Sequence, residues 1–259
     1  MTRAMHGLVM SSVATTVLLL GGAMPARGQS TQLDEAEVLA ELNDTDGDLG
    51  FHALIDAEAW DRLRIRAPDR RLILAVRPAR SLAQQGLTEL FFESAEPEFD
   101  ALAPEEFFER FPEGRYTITG RTIEGDRLEG TARFSHRMPA PVGNVAVSGI
   151  ALVADLDCDE GAPVVGEPVV ISWDPVTRSH PEIGNPTDAR IRIDRYQLVV
   201  EREEPVLLVY SVDLPGDLPA YEVTVPPEFL ALGEEFKYEI VARARNGNQT
   251  ALESCFALE

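Results

Sequence analysis

Leu63-Arg64-Ile65-Arg66, Asp69-Arg70 and Leu72-Ile73-Leu74-Ala75-Val76 decide the fold class. Apolar and charged residues alternate over 63–66, the period of a half-buried strand. Asp69-Arg70 supplies a turn, and 72–76 reads as the returning strand of a hairpin with one face inward. Upstream, Val38 to Leu42 is short enough for a helical turn or a strand. A strand is favoured, because the acidic turn Asn43-Asp44-Thr45-Asp46-Gly47-Asp48 ends it at once and a second β-like run, Phe51 to Ile55, follows.

Downstream the β rhythm breaks over residues 81–112. Gly86 to Phe92 starts as a turn before a strand or short helix. Pro104-Glu105-Glu106-Phe107-Phe108-Glu109-Arg110-Phe111 reads as a helix: proline suits a first turn, acids suit its N-terminal dipole, and Phe107, Phe108 and Phe111 share a face. Those rings are expected to cap the open end of the sheet. Tyr116 to Gly120 and Leu128 to Phe134 flank Glu124-Gly125-Asp126 and make another hairpin. Met138-Pro139-Ala140-Pro141 reads as an extended connector that interrupts strand pairing. The expected architecture is all-β: two tandem β-sandwich domains, residues 29–138 with one short helix and residues 142–259.

The amino terminus carries a different signal. Arg3 precedes an apolar run from Leu8 to Ala23, and Ala26 and Gly28 stand at −3 and −1 of a cut before Gln29. That pattern predicts a cleaved signal peptide over residues 1–28. Ser11, Ser12, Thr15 and Thr16 interrupt the run, leaving it short of the about 20 apolar residues that span a bilayer. An exported chain, periplasmic or extracellular and with no membrane insertion after cleavage, is expected. Its net charge of −21 would become −23 once Arg3 and Arg27 are removed. Such a field repels phosphate backbones, so nucleic acid is excluded as a partner. Export also places Cys158 and Cys255 in an oxidising compartment, where an isolated pair is expected to bridge.

Past the connector, several segments resemble a fibronectin type III domain. Val169-Val170-Ile171-Ser172-Trp173-Asp174-Pro175 is similar to that family's second strand, and Tyr196 to Glu201 to its third. Val206 to Tyr210 and Ala220 to Val225 resemble the two that follow. Leu232-Gly233-Glu234-Glu235-Phe236-Lys237-Tyr238 through Ala244 resembles the sixth, and Thr250 to Leu258 the last. The resemblance implies that Trp173 packs at the centre of a sandwich. It also aligns Phe236 with the family's corner tyrosine, whose tie to the preceding loop must then be missing or supplied otherwise. The stretch Thr177 to Arg192 is longer than the family's loop, and is either a tolerated surface insertion or a ligand-binding edge. A bridge between Cys158 and Cys255 would clamp the sandwich ends. Asn43 to Asp56, Gly86 to Glu93 and Phe111 to Arg121 resemble the amino-terminal half of fibronectin type III-containing bacterial proteins, a likeness that implies no activity.

Candidate chemistry is sparse. Asp44, Asp46 and Asp48 could direct three carboxylates to one calcium ion. Leu49 and Ile55 occupy the places where an EF-hand loop starting at Asp44 needs Gly and Glu, so the pattern is a looser acidic turn. Asp155, Asp157, Asp159 and Glu160 form a second acidic stretch. His52, His136 and His180 show no ligand spacing with one another. No Ser elbow, His-Glu-x-x-His motif or glycine-rich phosphate loop occurs, so no catalytic residue or cofactor is expected. Asn43-Asp44-Thr45 and Asn248-Gln249-Thr250 match the glycosylation acceptor pattern, read as chance. The expected role is a non-catalytic exported module that interacts with a protein or glycan, and it requires an exposed apolar patch on a sheet or loop edge. Its competitors are a calcium-stabilised structural protein and an enzyme with a deep pocket.

Overall fold

The computed structural model describes residues 30–151, Cys158, 161–185 and 187–259. The signal segment 1–28 and Asp155, Asp157, Asp159 and Glu160 lie outside the described residues.

The first lobe contains β1 (Ser30–Gln32), β2 (Glu35–Asn43), β3 (Asp48–Arg66), β4 (Leu72–Val76), α1 (Arg80–Gln85), β5 (Leu87–Glu93), α2 (Pro104–Arg110), β6 (Gly114–Thr122) and β7 (Arg127–Phe134). β3 organises it. Its first part pairs with β2 and β5, Leu54 standing opposite Glu37 and Phe91. Its last part pairs with β4 and β6, Ile65 standing opposite Leu74 and Ile118. Register shifts between Asp56 and Trp60 and between Trp60 and Arg62 mark where the strand turns from one layer into the other. Irregularities of this kind bend a strand and let it switch sheets. Trp60, fully buried, fills the corner.

In the sequence Phe51–Ile55 and Leu63–Arg66 read as separate strands. Ala57, Trp60 and their neighbours break the alternation and interrupt the ladder, yet the extended strand continues through them. Phe107 and Phe108 of α2 are buried, and Phe111 stacks on Phe51 at 4.4 Å, as a cap on the sheet's open end requires. The Tyr116 hydroxyl donates to the Pro112 carbonyl at 3.2 Å, tying the start of β6 to the helix exit.

The second lobe contains β9 (Gly143–Val147), β10 (Ile150–Ala151), β11 (Val164–Val165), β12 (Val170–Asp174), β14 (Ile193–Arg202), β15 (Leu208–Pro215), β16 (Tyr221–Thr224), α3 (Pro227–Leu230), β17 (Glu235–Ala244) and β18 (Gln249–Leu258). Between the lobes run β8 (Arg137–Pro139) and, from the long insertion, β13 (Ser179–Gly184). One layer has the order β10-β9-β12-β16, and facing it is β18-β17-β14-β15. This is a sandwich of fibronectin type III kind. Trp173 sits at its centre, 3% exposed, stacked on Tyr221 at 5.3 Å. Phe236 is buried against Phe256. The tie that Phe236 lacks comes from Tyr221, whose hydroxyl donates to the Pro215 carbonyl at 3.0 Å and accepts the Leu218 N–H. Cys158 is bonded to Cys255 of β18.

Two expectations about the lobe junction are corrected. Residues 137–139 do not interrupt pairing: β8 lies antiparallel to β13, Ser179 opposite Pro139 and Gly184 opposite Arg137. Nor is the insertion a free surface loop. β13 crosses to the first lobe, where Ile183 packs on its core. Neither pairing leaves a local periodic trace, because the two strands are about 40 residues apart.

The last strand joins the lobes. β18 runs parallel to β2, pairing Gln249, Thr250 and Ala251 with Glu41, Leu42 and Asn43. One layer therefore passes unbroken from β5 through β3, β2, β18, β17 and β14 to β15. At the seam the Asn248 side chain is wholly buried. Its Oδ1 accepts the Ala40 N–H at 3.0 Å, and its Nδ2 donates to the carbonyls of Ser135 and Arg137 at 2.7 and 3.1 Å. Thr250 Oγ1, also buried, donates to the Pro139 carbonyl at 2.8 Å. Truncating Asn248 strands the Ala40 N–H and the Ser135 carbonyl, while the Arg137 carbonyl keeps its bond from Asn246 Nδ2. Asn248→Ala is expected to cost about 2–4 kcal/mol, since each unsatisfied group costs about 1–3 kcal/mol. Calorimetry checks this, and both lobes are expected to unfold in a single transition in the parent chain.

Candidate functional site

The β2–β3 turn, the β13 arm and the end of β18 meet on one side of the seam. Asn43 is the hub. Its Oδ1 accepts the N–H groups of Thr45 and Asp46, and its Nδ2 donates to Glu253 Oε1 at 2.8 Å and Asp46 Oδ2 at 3.2 Å. Thr45 Oγ1 accepts the Glu253 N–H at 2.8 Å. His180 Nδ1 accepts the N–H groups of Glu182 and Ile183, so its Nε2 carries the hydrogen that is donated to Asp44 Oδ1 at 2.9 Å. Both glycosylation-like triplets are thus structural. Asn248 has no exposed amide, and Asn43 is committed to the turn.

Asp44, Asp46 and Asp48 therefore have distinct surroundings. Asp44 faces His180 and Asp46 faces Asn43. Asp48 opens β3, and burial followed by repulsion from Glu96, Asp46 and Glu253 pushes its carboxyl up to about 6. Among the described residues, the group of three that brings ligand atoms within 4.8 Å of one another is instead His52, Glu93 and Glu96. β3 and β5 set this group by register, His52 standing opposite Glu93. Gly50 makes room for it, because a Cβ there would overlap the Glu96 carboxylate. His52 is 4% exposed, with Nε2 at 2.9 Å from Glu96 Oε1 and Nδ1 at 3.4 Å from Glu41 Oε2.

The same sheet face continues across the seam as an acidic band. Glu239 of β17 lies opposite Glu253 of β18, and Glu41 of β2 opposite Gln249. Burial raises the carboxyl of Glu239 to about 7, with Glu41, Glu253, Glu201 and Glu96 adding repulsion. Burial also raises Glu41 and Glu253. Arg243 answers part of this charge by pairing with Glu37.

On the far side of the junction, Arg133, Arg137, Arg190, Arg192 and Arg245 line an open cleft of about 840 Å³. Neither this group nor the His52 group is legible in the sequence, since their members come from segments scattered along the chain. The one local hint is the polar alternation Arg133, Ser135, Arg137 across the β7–β8 connection. His136 is apart from the acidic group and contacts the Phe111 carbonyl at 2.7 Å. Among the described residues, no helix is long and apolar enough to cross a membrane.

No family model matches the chain, and no curated protein does either. Solved structures align weakly. A bacterial ice-binding adhesin described for host cell surface retention matches at 12% identity and TM-score 0.27, over 89% of this chain and 65% of that one. A two-domain fibronectin type III segment of chicken tenascin matches at 10% identity and TM-score 0.26, over 87% and 98%. The chicken CNTN1 FN1–FN3 domains match at 8% and TM-score 0.34, over 89% and 65%. The chain thus spans about two thirds of the adhesin and CNTN1 chains. Scores this low carry no argument, and the fold rests on the strand pairings themselves.

A raised carboxyl means that the native state holds a proton which the unfolded chain, titrating near 4.5 or below, releases first. The raised groups therefore cost stability as pH climbs, and the loss is complete only above about 7, where Glu239 ionises. Thermal melts are expected to show stability rising as pH falls from 8 towards about 5. Glu239→Gln is expected to raise the melting temperature by about 3 °C at pH 8 and to leave it unchanged near pH 4.5.

Proposed function

We propose that the chain is an exported, non-catalytic interaction module of two tandem β-sandwich units, residues 29–138 and 142–259, that engages a protein or a glycan. One observation carries the reading. β15 is the outer strand of the long layer, and Val206, Leu207 and Val209 at its hairpin stand 64%, 56% and 51% exposed. An open strand edge with neighbouring apolar side chains offers a partner both backbone hydrogen bonds and buried area. It is the kind of patch the interaction reading requires. The seam supports the same role, since a surface held rigid by β18 and β13 binds without a large ordering cost. A disulfide suits an oxidising compartment and so fits export.

The test immobilises the chain and measures saturable retention of proteins and glycans from the native envelope fraction. The triple variant Val206→Asp, Leu207→Asp, Val209→Lys is expected to lose retention about tenfold or more, the change expected when an apolar anchor worth at least about 1.4 kcal/mol is removed. Retention unchanged by that variant, or turnover of a substrate by the parent chain, overturns the reading.

Cation stabilisation is a second reading, favoured by the convergence of His52, Glu93 and Glu96. An imidazole with two carboxylates suits zinc, whereas calcium takes oxygens and would favour the turn at Asp44, Asp46 and Asp48. Melts after chelation, with each ion restored in turn, separate the two. A zinc-dependent rise abolished by His52→Ala assigns the histidine group. A calcium-dependent rise abolished by Asp48→Asn assigns the turn, and melts that do not respond remove both.

A further inference from the structure

The protein carries nearly twice as many acids as bases, 44 against 23, yet five arginines converge on the cleft between the lobes. They arrive from four segments: Arg133 ends β7, Arg137 begins β8, Arg190 and Arg192 precede β14, and Arg245 sits in the β17–β18 turn. Backbone ties fix these walls. The Arg245 N–H donates to the Arg192 carbonyl at 3.0 Å, Asn246 Nδ2 to the Arg137 carbonyl at 2.8 Å, and the Asn185 N–H to the His136 carbonyl at 2.9 Å. Among the described residues, none of the five guanidinium groups forms an ion pair, although other arginines do. Glu113, the carboxylate on the cleft wall, is occupied by the Ser135 hydroxyl and by the His136 N–H at 2.6 Å.

Crowding like charges is unfavourable, and in a chain so rich in carboxylates pairing them would be easy. What remains is a set of five planar, fork-shaped donors against a single wall carboxylate, Glu113. That is the group chemistry selects for carboxylate, sulfate or phosphate oxygens. The volume lies within the range of small-ligand sites, roughly 300–1,000 Å³. The net charge of −21 repels a long polyanion, so the complementary ligand keeps its charge compact. Among the described residues, no aromatic side chain lines the cleft. We propose that this cleft binds a compact oligo-anion bearing two or more carboxylate, sulfate or phosphate groups. The inference concerns a second surface, remote from β15, and stands or falls independently of it.

Titration calorimetry on the full mature chain at low salt tests this with citrate, a sulfated disaccharide and inorganic phosphate. Citrate or the disaccharide is expected to saturate the chain and to bind about tenfold or more tighter than phosphate, because several guanidinium groups act together. The stronger of the two identifies the source as a small polycarboxylate or an acidic glycan. Arg190→Ala with Arg245→Ala is expected to weaken binding about tenfold or more while leaving the melting temperature and the β15-dependent retention unchanged. The control pair Arg62→Ala with Arg121→Ala, on a separate arginine group of the first lobe, is expected to leave binding intact. The absence of saturable binding by either oligo-anion, phosphate binding as tightly as both, or indifference to the Arg190 and Arg245 changes overturns the proposal.

Discussion

The parallel pairing of β18 with β2 is the constraint on which the rest of the molecule depends. It converts two sandwiches with separate cores into one layer of seven strands, and it buries the polar seam at Asn248 and Thr250. Buried polar groups are costly unless every one is satisfied. Here each side chain serves backbone groups that no strand ladder reaches, so the seam fits in only one register. The two charged faces follow from that fixed register. The acidic band lies on the sheet where β17, β18, β2 and β3 run side by side, and the arginine cleft lies where the turns of both lobes come together.

The charge distribution has its own logic. Asp48, Glu41, Glu239 and Glu253 are held closer to one another than ionised carboxylates prefer, and burial compounds the effect. Five arginines gather instead across the junction. Arg243, Lys237 and the histidines His52 and His180 reach the acidic side. The acidic band and the arginine cleft thus carry opposite charge on separate faces, and both are sensitive to ionic strength.

Much of the fold could be read from residues close together in the chain. The hairpin at Leu63 to Val76, the helix at Pro104 and the burial of Trp173 each depend on local alternation or on a ring in a strand, and all appear where expected. What escaped the sequence depends on distant partners. The insertion Thr177 to Arg192 carries no period that would announce β13, and Met138 gave no sign of being buried beneath it. β3 reads as two strands in the sequence because Ala57 to Asp61 follow a bulge rather than a pleat. The site was less legible than the fold. Three aspartates at alternate positions drew attention to the turn, whereas His52, Glu93 and Glu96 are joined only by the register of β3 against β5.

The β2–β18 seam also bears on how the chain is made. Ala40 and the Asn248 amide that satisfies it are separated by 208 positions. A chain made amino end first would hold one side of β2 bare until nearly the whole polypeptide had emerged. An uncovered strand edge invites pairing with other chains. The first lobe can assemble its own core early, but it completes its hydrogen bonding only when the final strand arrives.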